Sequence, residues 1–396
     1  MRRISHKTVR YAIKADKGNL DMENFSESKD FDKRQPGITR EQSAILQGVA
    51  VLFMIHHHFF NDISLYADRL LFWNADYVMR FAWFGKICVG LFAFVSGYGM
   101  CRVLEKRKGS ATGFWKIFGN SYRICMTQFG RLLIRYWILL VIFMPIFFLA
   151  GKKSFDIIEF LENFFCLSTS YNGAFWYVEQ YGVMLLLLPL IHGFFLGISR
   201  ETKKQDGGDF IGDWMKFYCS IGTIVFLLCI CFLGFHKGKW ILFLVKSLRP
   251  SFLLVFVVGY LMARFAWFDR VYEWLQEREK PIRMGAGCSL VIVVFLVRMT
   301  LADSPAYATL DFAFVPAFAL GILLLTDIFH KLGKAFEWIG SMAVYLWLTH
   351  LFIYDLTGNV VMKIGKSHLC FWLIELILCL ITAWCCKKLE KSFGNK

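Results

Sequence analysis

Runs of about twenty apolar residues recur along this 396-residue chain from about residue 43 onward, with no long polar interruption. In a bilayer each such run must satisfy its own backbone, which restricts the fold to spanning helices or a closed barrel. A helix needs about 20 mostly apolar residues to cross, whereas a barrel strand needs about half that. The runs are of helical length. Composition agrees: 57% of residues are hydrophobic and 19% are charged, against about 45–50% and about 25% in soluble domains. The expected fold is all-α, a polytopic membrane helix bundle of about ten transmembrane helices.

The ten candidate spans are roughly 43–61, 83–103, 130–150, 174–197, 217–235, 241–262, 284–302, 308–328, 338–356 and 369–386. Only HKGKW separates the fifth from the sixth, so these two are the weakest. Basic residues gather in alternate connections: the tail before the first span, RVLEKRKGS with FWKIFGNSYRICMTQFGR, SRETKKQ, DRVYEWLQEREKPIR, HKLGK and KKLEKSFGNK. The intervening connections, such as DSPAYATLD, are poorer in Lys and Arg. The positive-inside rule then places both termini in the cytoplasm, and an even number of spans agrees. Three regions follow: a polar cytoplasmic tail over 1–40, a membrane domain over 41–390 and a short cytoplasmic end over 391–396.

A net charge of +15 on a membrane protein reads as this loop asymmetry. No nucleic-acid motif accompanies it, so no nucleic-acid partner is expected. The tail lacks the apolar core of a signal peptide. Twelve cysteines are scattered through apolar runs without CxxC spacing, which points to small buried hydrophobes rather than disulfides or metal ligands.

Ionisable residues inside spans are costly and mark functional positions by default. With the orientation above, His56, His57 and His58 end the first span on the outer side. His350 falls in the outer half of the ninth, Glu179 and Gln180 near the outer end of the fourth, and Arg298 near the outer end of the seventh. Together they suggest one polar pocket open to the outside. The competing reading for Arg298 and Gln180 is an interfacial group that reaches water. Successive helical residues turn by about 100°, so three consecutive histidines cannot all face one pocket. Zinc ligands on a helix come at i and i+4; the HHH run lacks that spacing, and no metal is expected. Gln47 and His58 are eleven residues apart, close to three turns and about 16 Å, so they share a face. Trp176, Tyr177 and Trp347 could stack on a sugar or form an interfacial belt.

The segments AILQGVAVLFMIHHHFF, GLFAFVSGYGM, GRLLIRYW, FWYVEQYGVMLLLLPLI and IGSMAVYLWLTHLF, in this order, resemble the acyltransferase-3 family of membrane O-acyltransferases. The likeness runs from Gly37 to the last span. It implies transfer of an acyl group, usually acetyl, from cytoplasmic acyl-CoA to a hydroxyl of an extracytoplasmic glycan or related acceptor. That in turn implies a bacterial cytoplasmic membrane, membrane lipids as surroundings and partner proteins of a glycan assembly system. The family's first span carries a basic residue, ten intervening residues and a histidine, which maps the histidine to His58, with His57 as the near alternative. His58 becomes the general base, Glu179 a carboxylate to orient it, and His350 a second acid–base candidate. The arginine motif maps to Arg131 and Arg135, with RxxxR in place of RxxR; with Arg123 and Gln47 they would handle the donor, since Arg suits bidentate phosphate binding. Ser96 in FVSGYG reads as packing rather than nucleophile. A glycan or lipid-linked-intermediate transporter, or a catalytically degenerate relative, stays open beside the enzyme.

Gln47 stands where the family has Arg or Lys, and an amide offers no permanent charge. Gln47→Arg is therefore expected to raise turnover, measured as label passing from acetyl-CoA into the glycan fraction of membranes. Unchanged turnover would mean that the position is idle in this chain.

Overall fold

In the computed structural model, residues 37–61, 75–107, 114–204, 218–224, 249–301, 308–364 and 367–394 are described. The helices are α1 (Arg40–Phe60), α2 (Ala75–Phe84), α3 (Ile87–Lys106), α4 (Phe114–Leu149), α5 (Ile157–Phe164), α6 (Trp176–Lys204), α7 (Pro250–Arg264), α8 (Trp267–Gln276), α9 (Lys280–Thr300), α10 (Asp311–Ile328), α11 (His330–Gly340), α12 (Ala343–Ile364) and α13 (His368–Gly394). No strand occurs among the described residues. Seven helical stretches are long and apolar enough to cross a membrane, and up to nine if each of two bent pairs, α7 with α8 and α11 with α12, is one span. The expected fifth span lies mostly outside the described residues, as does the start of the sixth.

Close backbone approach organises the bundle. Between helices in lipid there is little hydrophobic drive, and van der Waals packing of small residues takes its place. α3 and α7 run parallel. A Cβ at Gly97 would lie 1.9 Å from the Phe256 carbonyl oxygen, and one at Gly259 would lie 2.3 Å from that of Phe94. This is the work of the glycine in FVSGYG. At their C-terminal ends the pair is tied by Arg264 Nη1 to Glu105 Oε1 at 2.7 Å and by Arg102 Nη2 to Asp269 Oδ2 at 2.6 Å. Tyr98 donates to the same Asp269. Asp269 sits on α8, which leaves α7 at 65° after Ala266 takes a left-handed conformation with φ of 54°. Gly48 and Gly340 do the same for α1 and α11: a Cβ at Gly340 would meet the Ala44 oxygen at 1.8 Å.

Several boundaries differ from the expected ones. The third span is the C-terminal part of a 36-residue helix. The stretch 114–129, read as a connection, continues α4, because Ile117, Ser121, Ile124 and Cys125 recur at helical spacing and are buried. The expected ninth span covers the end of α11 and most of α12, which runs on to Ile364. α11 meets α12 at a 69° bend, where Ser341 Oγ donates to Trp338 O and accepts from Lys387 Nζ. The second span is broken at Gly85–Lys86. The described cysteines are all free.

The glycine contacts carry a stability prediction. Gly97→Ala is expected to cost about 1–3 kcal/mol, the usual range for overpacking. Gly99, with nothing within 4 Å of an added Cβ, should accept Ala without loss. Melting temperatures in one detergent would compare the two.

Candidate functional site

The site is built at the break between α2 and α3. There Lys86 N bonds Trp83 O and Cys88 N bonds Gly85 O, three residues back rather than the helical four. That pattern leaves the Ala82 and Phe84 carbonyls for side chains. Ala82 O accepts from His57 Nδ1 at 2.8 Å, and Phe84 O accepts from Arg298 Nη1 at 2.8 Å. Gly85 lets α1 approach: a Cβ there would meet Phe53 O at 2.6 Å and His57 Cβ at 3.1 Å.

Arg298 then needs a counter-charge, and Asp311 provides it. Nε and Nη2 donate to the two carboxylate oxygens at 2.8 and 2.9 Å, a bidentate fork. Both side chains are 1% exposed. The interfacial reading of Arg298 is thus corrected: the guanidinium is buried, with Nε and Nη2 on a carboxylate and Nη1 on a carbonyl instead of water. Gln180 is likewise buried rather than interfacial. Its Oε1 accepts from Arg249 N at 2.7 Å, at the start of α7.

The three consecutive histidines leave α1 in three directions. His57 points to Ala82. His58 lies against His350 of α12, with ring centroids 4.9 Å apart, and against His57 at 5.1 Å. His56 packs on Phe81, away from both. His350 Nδ1 lies 2.9 Å from Trp347 O and 3.1 Å from Leu346 O. A carbonyl only accepts, so Nδ1 carries the proton in His57 and His350, and in the neutral rings Nε2 is the bare acceptor. In His350 this Nε2 is buried without a partner. His58 is half-exposed and forms no hydrogen bond to a described residue. A hydroxyl placed against the pair would meet ring nitrogens free to take its proton.

Short links hold α12 in register. Trp347 Nε1 donates to Ala174 O at 3.1 Å, and Asn172 Nδ2 donates to Leu348 O at 3.2 Å. Tyr177 packs edge-on against Trp347 at 5.5 Å. Trp176 is covered by the Arg249 guanidinium, 4.0 Å from its ring centroid. His350 is seven residues into α12 and fourteen from its end, about 21 Å below it by helical rise.

The other expected residues are spread. Glu179, half-buried on the first turn of α6, forms no ion pair with a histidine among the described residues. Gln47 is half-buried on the His58 side of α1. Of the arginines, Arg131 is exposed and Arg135 Nε pairs with Glu390 Oε1 at 2.9 Å. Arg123 lines a polar cavity of about 570 Å³ with Lys106, Arg107, Asn120 and Thr127. In the sequence Lys106 and Arg107 show only as loop charge. Asp311 went unremarked as well, although an intramembrane Arg298 calls for an acid nearby. Among the described residues no three His, Cys, Asp or Glu side chains group as a metal site.

A family model described as an acyltransferase domain, Acyl_transf_3, matches residues 43–387. The chain belongs to the acyltransferase-3 family. A search of curated proteins finds no match. The family domain covers nearly the whole chain, so the helix break, the histidine pair and the basic cavity all lie within the acyltransferase-3 domain.

Asp311→Asn is expected to destabilise this acyltransferase-3 protein by about 3–5 kcal/mol, since it leaves a buried guanidinium without its counter-charge. Combining it with Arg298→Met should restore much of the loss. Thermal melts of the two single variants and the double variant provide the measurement.

Proposed function

We propose that this acyltransferase-3 protein moves an acetyl group from cytoplasmic acetyl-CoA to a hydroxyl of an extracytoplasmic glycan, in the cytoplasmic membrane of a bacterium. The observation that carries the proposal is the His58–His350 pair, with rings 4.9 Å apart and the buried His350 Nε2 unpartnered. His58 acts as general base. It takes the acceptor's hydroxyl proton as the oxygen attacks the thioester carbonyl. The C–S bond breaks, and the sulfur leaves with the proton that His58 then returns. An unperturbed imidazole titrates near 6.5, which suits a base working near neutral pH. His350 Nε2 accepts a hydrogen bond from a second acceptor hydroxyl, or from His58 once that ring is protonated.

The donor's phosphates are charged and need cations. Lys106, Arg107 and Arg123 gather in one cavity at the inner ends of α3 and α4, with positive-inside orientation. α3 runs twenty residues, from Ile87 just after the helix break to Lys106, about 30 Å of rise. The donor therefore lies along the bundle, with its phosphates at one end of α3 and its thioester toward the other. The acceptor arrives from the opposite side, delivered by proteins of a glycan assembly system.

Labelled acetyl-CoA supplied to the inner face, with label counted in the glycan fraction, tests the scheme. His58→Ala is expected to lower transfer by about 10²–10⁴-fold, the range for a lost general base, with protein level unchanged. Transfer equal to wild type would remove His58 from the role. Arg123→Ala should instead raise KM for acetyl-CoA and leave kcat nearly unchanged, the signature of lost uniform binding.

A further inference from the structure

His56 faces neither His350 nor the α2–α3 break. Val49, Leu52, Phe53, His56 and Phe60 form one stripe of α1, and at about 100° per residue His58 lies on the opposite side. The stripe walls a cavity of about 570 Å³ that α2, α10, α11 and the start of α13 complete. Most of it is apolar. At one end His56, His368 and Trp372 come together, with His56 and Trp372 ring centroids 6.4 Å apart. His56 Nδ1, His368 Nδ1 and Trp372 Nε1 are all buried and, among the described residues, without a hydrogen-bond partner. Leaving such groups unmade is costly, and three of them at one end of one cavity are an unfilled set.

Their chemistry describes what fills them. An indole N–H only donates, and a neutral imidazole nitrogen can donate or accept, so the ligand brings acceptor oxygens. Among the described residues no Lys, Arg, Asp or Glu lines the cavity, and an apolar lining of this kind does not favour a phosphate or a carboxylate. The apolar part accompanies α1 from Val49 to Phe60, about 16 Å of rise or half of a hydrocarbon core of about 30 Å. We propose that this cavity binds one hydrocarbon chain of an uncharged glycerolipid, with its ester or hydroxyl oxygens on Trp372 Nε1 and the His56 and His368 rings. The assignment is independent of the acyl-transfer chemistry, since it uses the other face of α1.

Native mass spectrometry of the detergent-purified full chain tests it, with dioleoylglycerol and dioleoylphosphatidylglycerol as probes. The wild type should retain one dioleoylglycerol and hold the anionic lipid at least about tenfold more weakly. Trp372→Phe keeps the ring but removes the donor, and should weaken dioleoylglycerol binding about tenfold, as expected for one lost buried hydrogen bond. Leu52→Trp fills the groove and should abolish retention. Equal retention of both lipids, or undiminished retention by Trp372→Phe, would mean annular lipid only and overturn the proposal. Trp372→Phe decides the matter by itself if Leu52→Trp does not fold.

Discussion

A helix that breaks inside a membrane must find new partners for the carbonyls it releases, because lipid offers none. At Gly85–Lys86 the two carbonyls in question are those of Ala82 and Phe84, and their partners are His57 and Arg298. The remaining architecture follows. Arg298 brings a charge that requires Asp311, which fixes where α10 begins against α9. His57 fixes the rotation of α1, and that rotation aims His58 at α12 and His56 at the opposite wall. One irregular step in one span therefore decides the direction of three rings and the place of a buried ion pair.

The glycines explain how such a step is tolerated. Gly48, Gly85, Gly97, Gly259 and Gly340 each leave less room than a methyl group needs. Backbones in contact gain dispersion over their whole length, which is the main cohesive term available between helices in lipid. α1 is thereby clamped against α11 near its start and against the α2–α3 break near its end. The histidines sit on a helix held at two points, and their spacing to His350 is a property of the backbone rather than of flexible side chains.

Much of this was legible in the residues. Hydropathy located the spans that are described, and the eleven-residue spacing placed Gln47 and His58 on one face. The 100° turn forbade a common direction for the HHH run. What hydropathy could not show is where a helix bends without losing its apolar character. The break after Phe84 and the bend after Gly340 keep the same composition on both sides, so only the packing of Gly85 on Phe53 and of Gly340 on Ala44 reveals them. Arg298 was visible as an expensive residue, but its partner Asp311 lies across a connection and reads as an ordinary helix start. Lys106, Arg107 and Arg123 looked like scattered loop charge because the helical extension of α4 that gathers them was itself read as a loop.

The carbonyl bonds of His57 and His350 have a dynamic meaning. A ring anchored at Nδ1 in a dry interior has no freedom to flip, since turning would strand its proton with no carbonyl to receive it. Proton shuttling across a bilayer by imidazole depends on that flip, picking up on one side and releasing on the other. Here each anchored ring keeps Nδ1 on a carbonyl and leaves Nε2 as its bare nitrogen. The direction of the bare nitrogen in His350 is thereby set by the backbone of its own helix.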